Sequence, residues 1–131
     1  MKNLSLSIIA LLLLSACHES LEDRAEREAR EYTEKFCPTP VVNYQRTDST
    51  VFDKSTRTYI CYCSFTDKLD DAALISRAKA DIHKGLLQSI RNNTSLKNYK
   101  EAGFNFSYII YSTKERNKVL YQDKFSPKDY K

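Results

Sequence analysis

The chain contains 131 residues, with 21 lysines and arginines against 17 aspartates and glutamates, a formal net charge of +4. This length favours one compact domain, and a charged fraction of 29% with a hydrophobic fraction of 41% is typical of a globular chain. Only two glycines are present, Gly85 and Gly103, which excludes glycine-rich phosphate loops and dinucleotide fingerprints. The positive charge is too small and too dispersed to indicate a nucleic-acid partner.

The N-terminus has the pattern of an export signal. Lys2 supplies one positive charge, and residues 8–14 form an unbroken apolar run, Ile-Ile-Ala-Leu-Leu-Leu-Leu. This run is far shorter than the roughly 20 residues that a helix needs to cross a bilayer. It therefore predicts the apolar region of a secretory signal peptide rather than a permanent membrane span.

Leu14-Ser15-Ala16-Cys17 follows this run and resembles the lipobox of bacterial lipoproteins. The resemblance covers residues 1–17 and implies that residues 1–16 are removed and that Cys17 carries the lipid. Several acyl chains would anchor the protein stably in a membrane, at about 0.8 kcal/mol for each buried CH₂. His18, not an aspartate, follows the cysteine, which favours the outer over the inner membrane of the cell envelope. The alternative is an ordinary signal peptide in which Cys17 has no special role.

A densely charged helix is predicted next. Ser20, with an acidic residue three positions later, predicts the helix start, and Pro38 follows its end. Its apolar positions form only a narrow stripe, so we expect it to dock lightly or to act as a stalk. This divides the chain into a signal peptide (1–16), a lipidated cysteine with a charged helix (17–36) and a small domain (37–131).

The domain is predicted to contain two strand pairs joined by an amphipathic helix. Strands are expected within 41–53 and over 57–66, 104–112 and 118–125, and the last residues are expected to be a polar tail. The helix should run from Asp70 or Asp71 to Asn92 or Asn93, with a second, short helix over 95–102. The fold class is therefore α+β, in the order α-β-β-α-β-β, with a four-stranded, mainly antiparallel sheet packed on one amphipathic helix and preceded by the charged helix. In general outline only, this body resembles small envelope lipoproteins with no assigned function.

Three cysteines remain after Cys17. Export to an oxidising compartment makes a disulfide the first hypothesis for Cys37, Cys61 and Cys63. Cys61 and Cys63 share one face of a strand with Cα atoms ~6.6 Å apart, at the edge of the disulfide range. Cys37 is the better partner for one of them, which leaves one thiol unpaired. A zinc site of these three cysteines with His83 is disfavoured by the C-x-C spacing, so no metal is expected.

Tyrosines supply the candidate binding surface. Tyr59 and Tyr62 fall on opposite faces of the second strand, as do Tyr108 and Tyr111 on the third. One helix layer leaves one sheet face open, unless the N-terminal helix covers that face. We therefore expect some of these four rings to offer a surface to an unidentified envelope protein or a glycan.

The sequence contains no recognisable catalytic constellation. His83 is predicted to face solvent on the helix, Asp70 and Asp71 to complement a helix N-terminus, and Glu115 to lie in a turn. These observations predict a non-enzymatic, membrane-anchored envelope lipoprotein that acts as a binding or structural module without a cofactor. One alternative is an inhibitor or immunity-type lipoprotein that blocks a toxin, a phage component or a protease. A second alternative is a thiol-dependent enzyme that uses the unpaired cysteine.

Overall fold

The computed structural model describes residues 19–131 and confirms the α+β class. The elements are α1 (Leu21–Phe36), β1 (Gln45–Asp53), β2 (Thr58–Phe65), α2 (Ala72–Asn92), α3 (Lys97–Glu101), β3 (Asn105–Ser112), β4 (Val119–Phe125) and α4 (Pro127–Tyr130). Short 3₁₀ turns precede α2 and α3. Within residues 19–131, no helix is long and apolar enough to span a membrane.

The four strands form one sheet in the order β1-β2-β3-β4. The outer pairs, β1–β2 and β3–β4, are antiparallel, which agrees with the predicted, mainly antiparallel sheet. The central pair is parallel and runs in register from Thr58 opposite Asn105 to Phe65 opposite Ser112. It is parallel because α2 carries the chain back along the sheet before β3 begins, as parallel neighbours require.

Side-chain caps set the starts of both long helices at the predicted positions. Ser20 Oγ accepts a hydrogen bond from the Asp23 N–H at 3.1 Å at the start of α1. Asp71 Oδ1 accepts from the N–H groups of Ala73 and Leu74 at 3.0 and 3.1 Å at the start of α2. These caps satisfy backbone donors that would otherwise have no partner in the first helical turn.

Both long helices pack on the same face of the sheet. Ala25 and Ala29 of α1 are fully buried in one cluster with Phe52 of β1, Ile90 of α2 and Phe106 of β3. The alternative that the N-terminal helix covers the face opposite the amphipathic helix is therefore wrong. The two alanines allow the α1 backbone to lie close to the sheet, because a larger side chain would hold it away.

The α1 helix also protects the exposed edge of the sheet. Thr33 Oγ1 accepts a hydrogen bond from the Thr50 N–H at 2.8 Å and lies 3.0 Å from the Thr50 carbonyl, to which it donates. In the segment after α1, Thr39 Oγ1 accepts a hydrogen bond from the Thr47 N–H at 2.9 Å, and the Thr39 N–H donates to the Thr47 carbonyl at 2.9 Å. These bonds occupy backbone groups that an edge strand would otherwise offer to another chain.

The C-terminus is a short packed helix, so the predicted polar tail is wrong. Ser126 and Asp129 form a reciprocal capping box, and Pro127 takes the first helical position. Tyr130 is buried, and its hydroxyl donates to the Phe104 carbonyl at 2.7 Å. The capping box and the anchor at Tyr130 hold the last residues against the core.

Candidate binding groove

The two long helices leave a groove between them above the central strands. α1 packs over β1, and α2 packs over β4. Four side chains on this face of the central strands are only half-buried, although Phe106 and Ile110 on the same face are buried. We call this surface the interhelical groove, and its floor is formed by Tyr59, Cys61, Cys63 and Tyr108.

One end of the groove is closed by aromatic side chains. Tyr99 of α3 stacks on Tyr59 with ring centroids 6.1 Å apart and on Phe104 at 5.4 Å. Its hydroxyl donates a hydrogen bond to Glu28 of α1, which links α1 to this aromatic cluster. Burial alone would raise the pKa of Glu28, but the hydrogen bonds from Tyr99 and Arg24 lower it. The Glu28 carboxylate therefore stays ionised and holds Tyr99 in place as its hydrogen-bond acceptor.

A cavity of about 160 Å³ lies beside this closed end. Its walls combine floor residues with residues that follow α2, and they include Thr50, Tyr59, Cys61, Asn93, Leu96 and Tyr108. The lining is mainly apolar, with a few polar side chains. This composition suits an apolar side chain of a bound partner and offers it few hydrogen bonds.

The other end of the groove is bordered by exposed apolar side chains. Five of the seven large hydrophobic residues that are exposed in the described chain fall within residues 32–44. We call them the apolar rim: Tyr32, Phe36, Val41, Val42 and Tyr44. Tyr32 and Phe36 pack against each other, with ring centroids 5.3 Å apart. This surface was not predicted, although the α1 stripe and the Val41-Val42 pair are the sequence patterns that indicate it.

The three candidate cysteines of the domain lie on the groove floor and at the adjoining end of α1. Cys37 follows the last residue of α1, while Cys61 and Cys63 lie on β2 with their sulfurs 3.3 Å apart. All three are free thiols in the described structure. Cys17, the predicted lipidation site, lies outside the described residues.

The hydrogen bond between Cys61 and Cys63 gives these two thiols different acidities. The hydrogen bond between them raises the pKa of the Cys61 thiol and lowers that of Cys63, since Cys61 S–H stabilises a Cys63 thiolate. Burial raises the pKa of the Cys37 thiol. Cys63 is therefore the most readily ionised of the three.

The four candidate tyrosines are divided between the two faces of the sheet. Tyr59 and Tyr108 belong to the groove floor, where burial raises the pKa of Tyr108 to about 12, with a smaller contribution from Cys61 and Cys63. Tyr62 and Tyr111 are half-buried on the opposite face, which no helix of residues 19–131 covers. The structure thus provides two separate tyrosine-containing surfaces.

Comparison with known proteins places the chain in a family. Residues 20–121 match the family described as "Domain of unknown function (DUF8479)". The chain belongs to this family. No curated protein gives a significant match to its sequence.

Two solved structures share the fold of the DUF8479 domain. A proposed secreted protein from Pseudomonas aeruginosa superposes with a TM-score of 0.70 at 15% identity, covering 87% of this chain and 100% of that one. The type 2 secretion system pilotin EpsS from Vibrio vulnificus gives a TM-score of 0.62 at 8% identity, covering 85% of this chain and 92% of that one. At these identities the likeness establishes the common fold.

The remaining candidate residues of the DUF8479 domain are engaged in separate local contacts. His83 Nδ1 lies 2.6 Å from Asp123 Oδ2, and Tyr121 also donates to Asp123. Glu115 pairs with Lys118 at 2.8 Å. Over residues 19–131, no group of three or more histidine, cysteine, aspartate or glutamate side chains is arranged to hold a metal ion.

Asp70 has a structural role that the sequence did not indicate. Its buried carboxylate accepts hydrogen bonds from the N–H groups of Thr113 and Lys114 at 2.9 and 2.8 Å, and from the Thr113 hydroxyl at 3.0 Å. Burial would raise its pKa, but hydrogen bonds from Ser112, Thr113 and Lys114 lower it. Asp70 thus connects the start of α2 to the turn between β3 and β4.

Proposed function

We propose that this protein is a lipid-anchored, non-enzymatic protein of the bacterial cell envelope that binds an amphipathic helix of another envelope protein in the interhelical groove. The observation that carries this proposal is the groove itself. Its apolar floor is incompletely covered, and the apolar rim continues it at one end. Phe36 and Val42 of this rim are 59% and 62% exposed, which is costly for side chains that could otherwise pack inside a domain.

The form of the groove favours a helix as its occupant. Its walls are helices, and every strand beneath it except the outermost two is paired on both sides. A bound extended segment would find no free strand edge in the floor, so its backbone groups would lack partners. A helix satisfies its own backbone hydrogen bonds and can present apolar side chains to Tyr59, Tyr108 and the rim.

Two further observations support the envelope location and the anchor. The lipobox resemblance at Leu14–Cys17 implies lipidation, and His18 favours the outer membrane. The chain also shares its fold with a secretion system pilotin and with a proposed secreted protein. A fixed anchor would concentrate the groove at the membrane surface, where an envelope partner would meet it.

Metabolic labelling tests the anchor. An alkyne-bearing fatty acid should label the full chain in its native host, and Cys17→Ser should abolish both the label and membrane retention after high-salt washing. The Cys37→Ser variant is the matched control and should keep the label. Labelling that persists in Cys17→Ser would refute the proposed anchor.

Site-specific photo-crosslinking tests the groove. A photoreactive phenylalanine analogue replaces Phe36 on the rim or Val119 on β4, which is also exposed (44%) but lies outside the groove. Position 36 should crosslink to one envelope protein, through a segment with apolar residues repeating at helical spacing. Equal crosslinking from position 119, or a crosslinked segment without helical periodicity, would contradict the proposal.

A charge substitution provides the quantitative test. Phe36→Glu should weaken binding of the synthetic partner segment at least tenfold, since it places a carboxylate in the apolar contact. Val119→Glu should leave the affinity unchanged. If the crosslinked protein proves to be an incoming toxin or phage component, the inhibitor function replaces the envelope-partner function.

A further inference from the structure

The end of the groove nearest the rim holds Cys37, Cys61 and Cys63, whose thiol chemistry the binding of a helix does not require. Thr39, two residues after Cys37, is bonded to Thr47 on β1 at 2.9 Å in both directions. Thr47 is in turn the strand partner of Cys63. These contacts fix the backbone after α1 beside the strand-paired residues Thr47 and Cys63. Cys61 is paired with Thr50 instead, and it therefore lies further from Thr39 and nearer the closed end of the groove.

The geometry argues against a bond between Cys61 and Cys63. In an extended strand, residues i and i+2 keep their Cβ atoms nearly as far apart as their Cα atoms, ~6.6 Å. A disulfide requires Cβ atoms about 3.5–4.5 Å apart. β2 is hydrogen-bonded to β1 on one side and to β3 on the other, so it cannot contract without breaking both ladders. The sulfur separation of 3.3 Å is a hydrogen-bond contact.

We propose that Cys63 and Cys37 form a reversible disulfide at this end of the groove, and that Cys61 remains a thiol and acts as a positioning residue for Cys63. The bond would join the end of α1 to the groove floor. This inference is independent of the identity of any groove partner.

The reaction needs an oxidant, and the chemical class required is a protein disulfide, as an oxidising compartment supplies. The Cys63 thiolate attacks one sulfur of that disulfide, and the other sulfur leaves as a thiolate and takes up a proton. The Cys37 thiol then loses its proton to solvent, and its thiolate attacks the Cys63 sulfur of the mixed disulfide. The second oxidant sulfur leaves and is protonated. Two thiols of this chain are oxidised, and one external disulfide is reduced to two thiols.

The contact with Cys61 determines which thiol attacks first. The Cys61 S–H group can donate to the Cys63 sulfur and so stabilise a Cys63 thiolate, whereas at Cys37 the effect of burial outweighs that of the hydrogen bond from Thr33. The lowered pKa of Cys63 and the raised pKa of Cys37 act in the same direction. Because the thiolate is the reactive species, Cys63 is the entry point for the oxidant.

Peptide mapping tests the pairing. Cells producing the full chain are treated with N-ethylmaleimide before lysis, and the purified protein is digested with trypsin without reductant. Cleavage separates residues 36–46, with Cys37, from residues 58–68, with Cys61 and Cys63. A linked pair of these peptides, with fragmentation across Tyr62 placing the bond on Cys63, is expected. A bond on Cys61, a bond within residues 58–68, or three alkylated thiols would overturn the proposal.

Substitutions test the role assigned to Cys61. Cys61→Ala removes the S–H donor, so it should retain the bond between Cys37 and Cys63 but slow the reaction of reduced protein with an aromatic disulfide at pH 7 by about tenfold, the change expected for one pKa unit. The pH profile of alkylation at Cys63 should move upward accordingly. Cys61→Ser keeps a hydroxyl donor at this position, so it is the conservative variant and should restore most of the parent rate. An unchanged rate and pH profile in Cys61→Ala would refute the positioning role. Loss of the bond in both Cys37→Ser and Cys63→Ser, with the bond retained in Cys61→Ser, would support the pairing.

Discussion

Two threonine-to-valine substitutions with opposite predicted signs test how the hydrogen bonding of a buried threonine hydroxyl affects stability. Thr33 Oγ1 bonds to both backbone groups of Thr50, at 2.8 and 3.0 Å, and Thr50 is only 8% exposed. Thr66 Oγ1 is the one buried side-chain nitrogen or oxygen of residues 19–131 with no hydrogen-bond partner. Valine has nearly the shape of threonine, so each substitution changes the hydrogen bonding and little else.

The structure sets the magnitudes. Thr33→Val leaves a buried N–H and a buried carbonyl unpaired, which should reduce the free energy of unfolding by about 2 kcal/mol. Thr66→Val removes a hydroxyl that is buried without compensation, which should leave this free energy unchanged or raise it by about 1 kcal/mol. Thr66 has extended backbone angles, φ −123° and ψ 160°, that valine adopts readily. The free energies of unfolding of the two variants should therefore differ by about 2–3 kcal/mol.

Urea unfolding followed by circular dichroism measures the difference, with equal m-values as the check that unfolding exposes the same surface. In thermal unfolding, the midpoints should differ by about 8–12 °C for a folded body of this size. A Thr33→Val variant within about 0.5 kcal/mol of the parent protein, or a Thr66→Val variant that is the less stable of the two, would refute these roles of the two hydroxyls.

Three further substitutions probe other contacts. Asp70→Asn should reduce the free energy of unfolding by about 2 kcal/mol at pH 7. Because the pKa of Asp70 is lowered in the folded protein, this difference from the parent should disappear as the pH falls through that pKa. Asp81→Asn, at an exposed position of α2, is the control and should have little effect at either pH. Gly85→Ala should raise the thermal midpoint, with a gain of up to about 1 kcal/mol, since the added Cβ meets no atom within 4 Å in the middle of a helix. Tyr130→Phe should cost about 1–2 kcal/mol in chemical denaturation because it leaves the buried Phe104 carbonyl without its donor, and an unchanged midpoint would show that α4 is not anchored by this bond.

The sequence determines local structure most clearly where capping residues and periodicity coincide. Asp71 and Asn93 bound α2 as predicted, and Gly103, with φ +79°, terminates the segment before β3. These features depend on neighbours along the chain, so the pattern of residues alone contains them. The C-terminal helix has equally local indicators in Ser126 and Asp129, although a polar tail was predicted there.

The groove could not be inferred in the same way. Periodicity shows which residues of one element share a face, but it does not show which other element that face meets. Ala25 and Ala29 predict an apolar stripe on α1, and only the tertiary structure shows that this stripe meets the same sheet face as α2. Tyr59 and Tyr108 were recognised as candidates, yet their accessibility depends on how far apart the two helices lie, which is a property of the packed molecule.

The parallel pairing of β2 with β3 has a consequence for how the molecule assembles. Each outer strand pair joins segments that are close in sequence, whereas residues 66–104 separate the two central strands. Closing that long loop costs more chain entropy than forming either hairpin, so the central seam should form late in folding. Cys61 and Cys63 of the groove floor lie on one side of this seam and Tyr108 on the other. A molecule bound there would contact both halves of the chain, and its binding energy would oppose their separation. Occupancy of the groove would thus make unfolding of the domain more cooperative as well as less favourable.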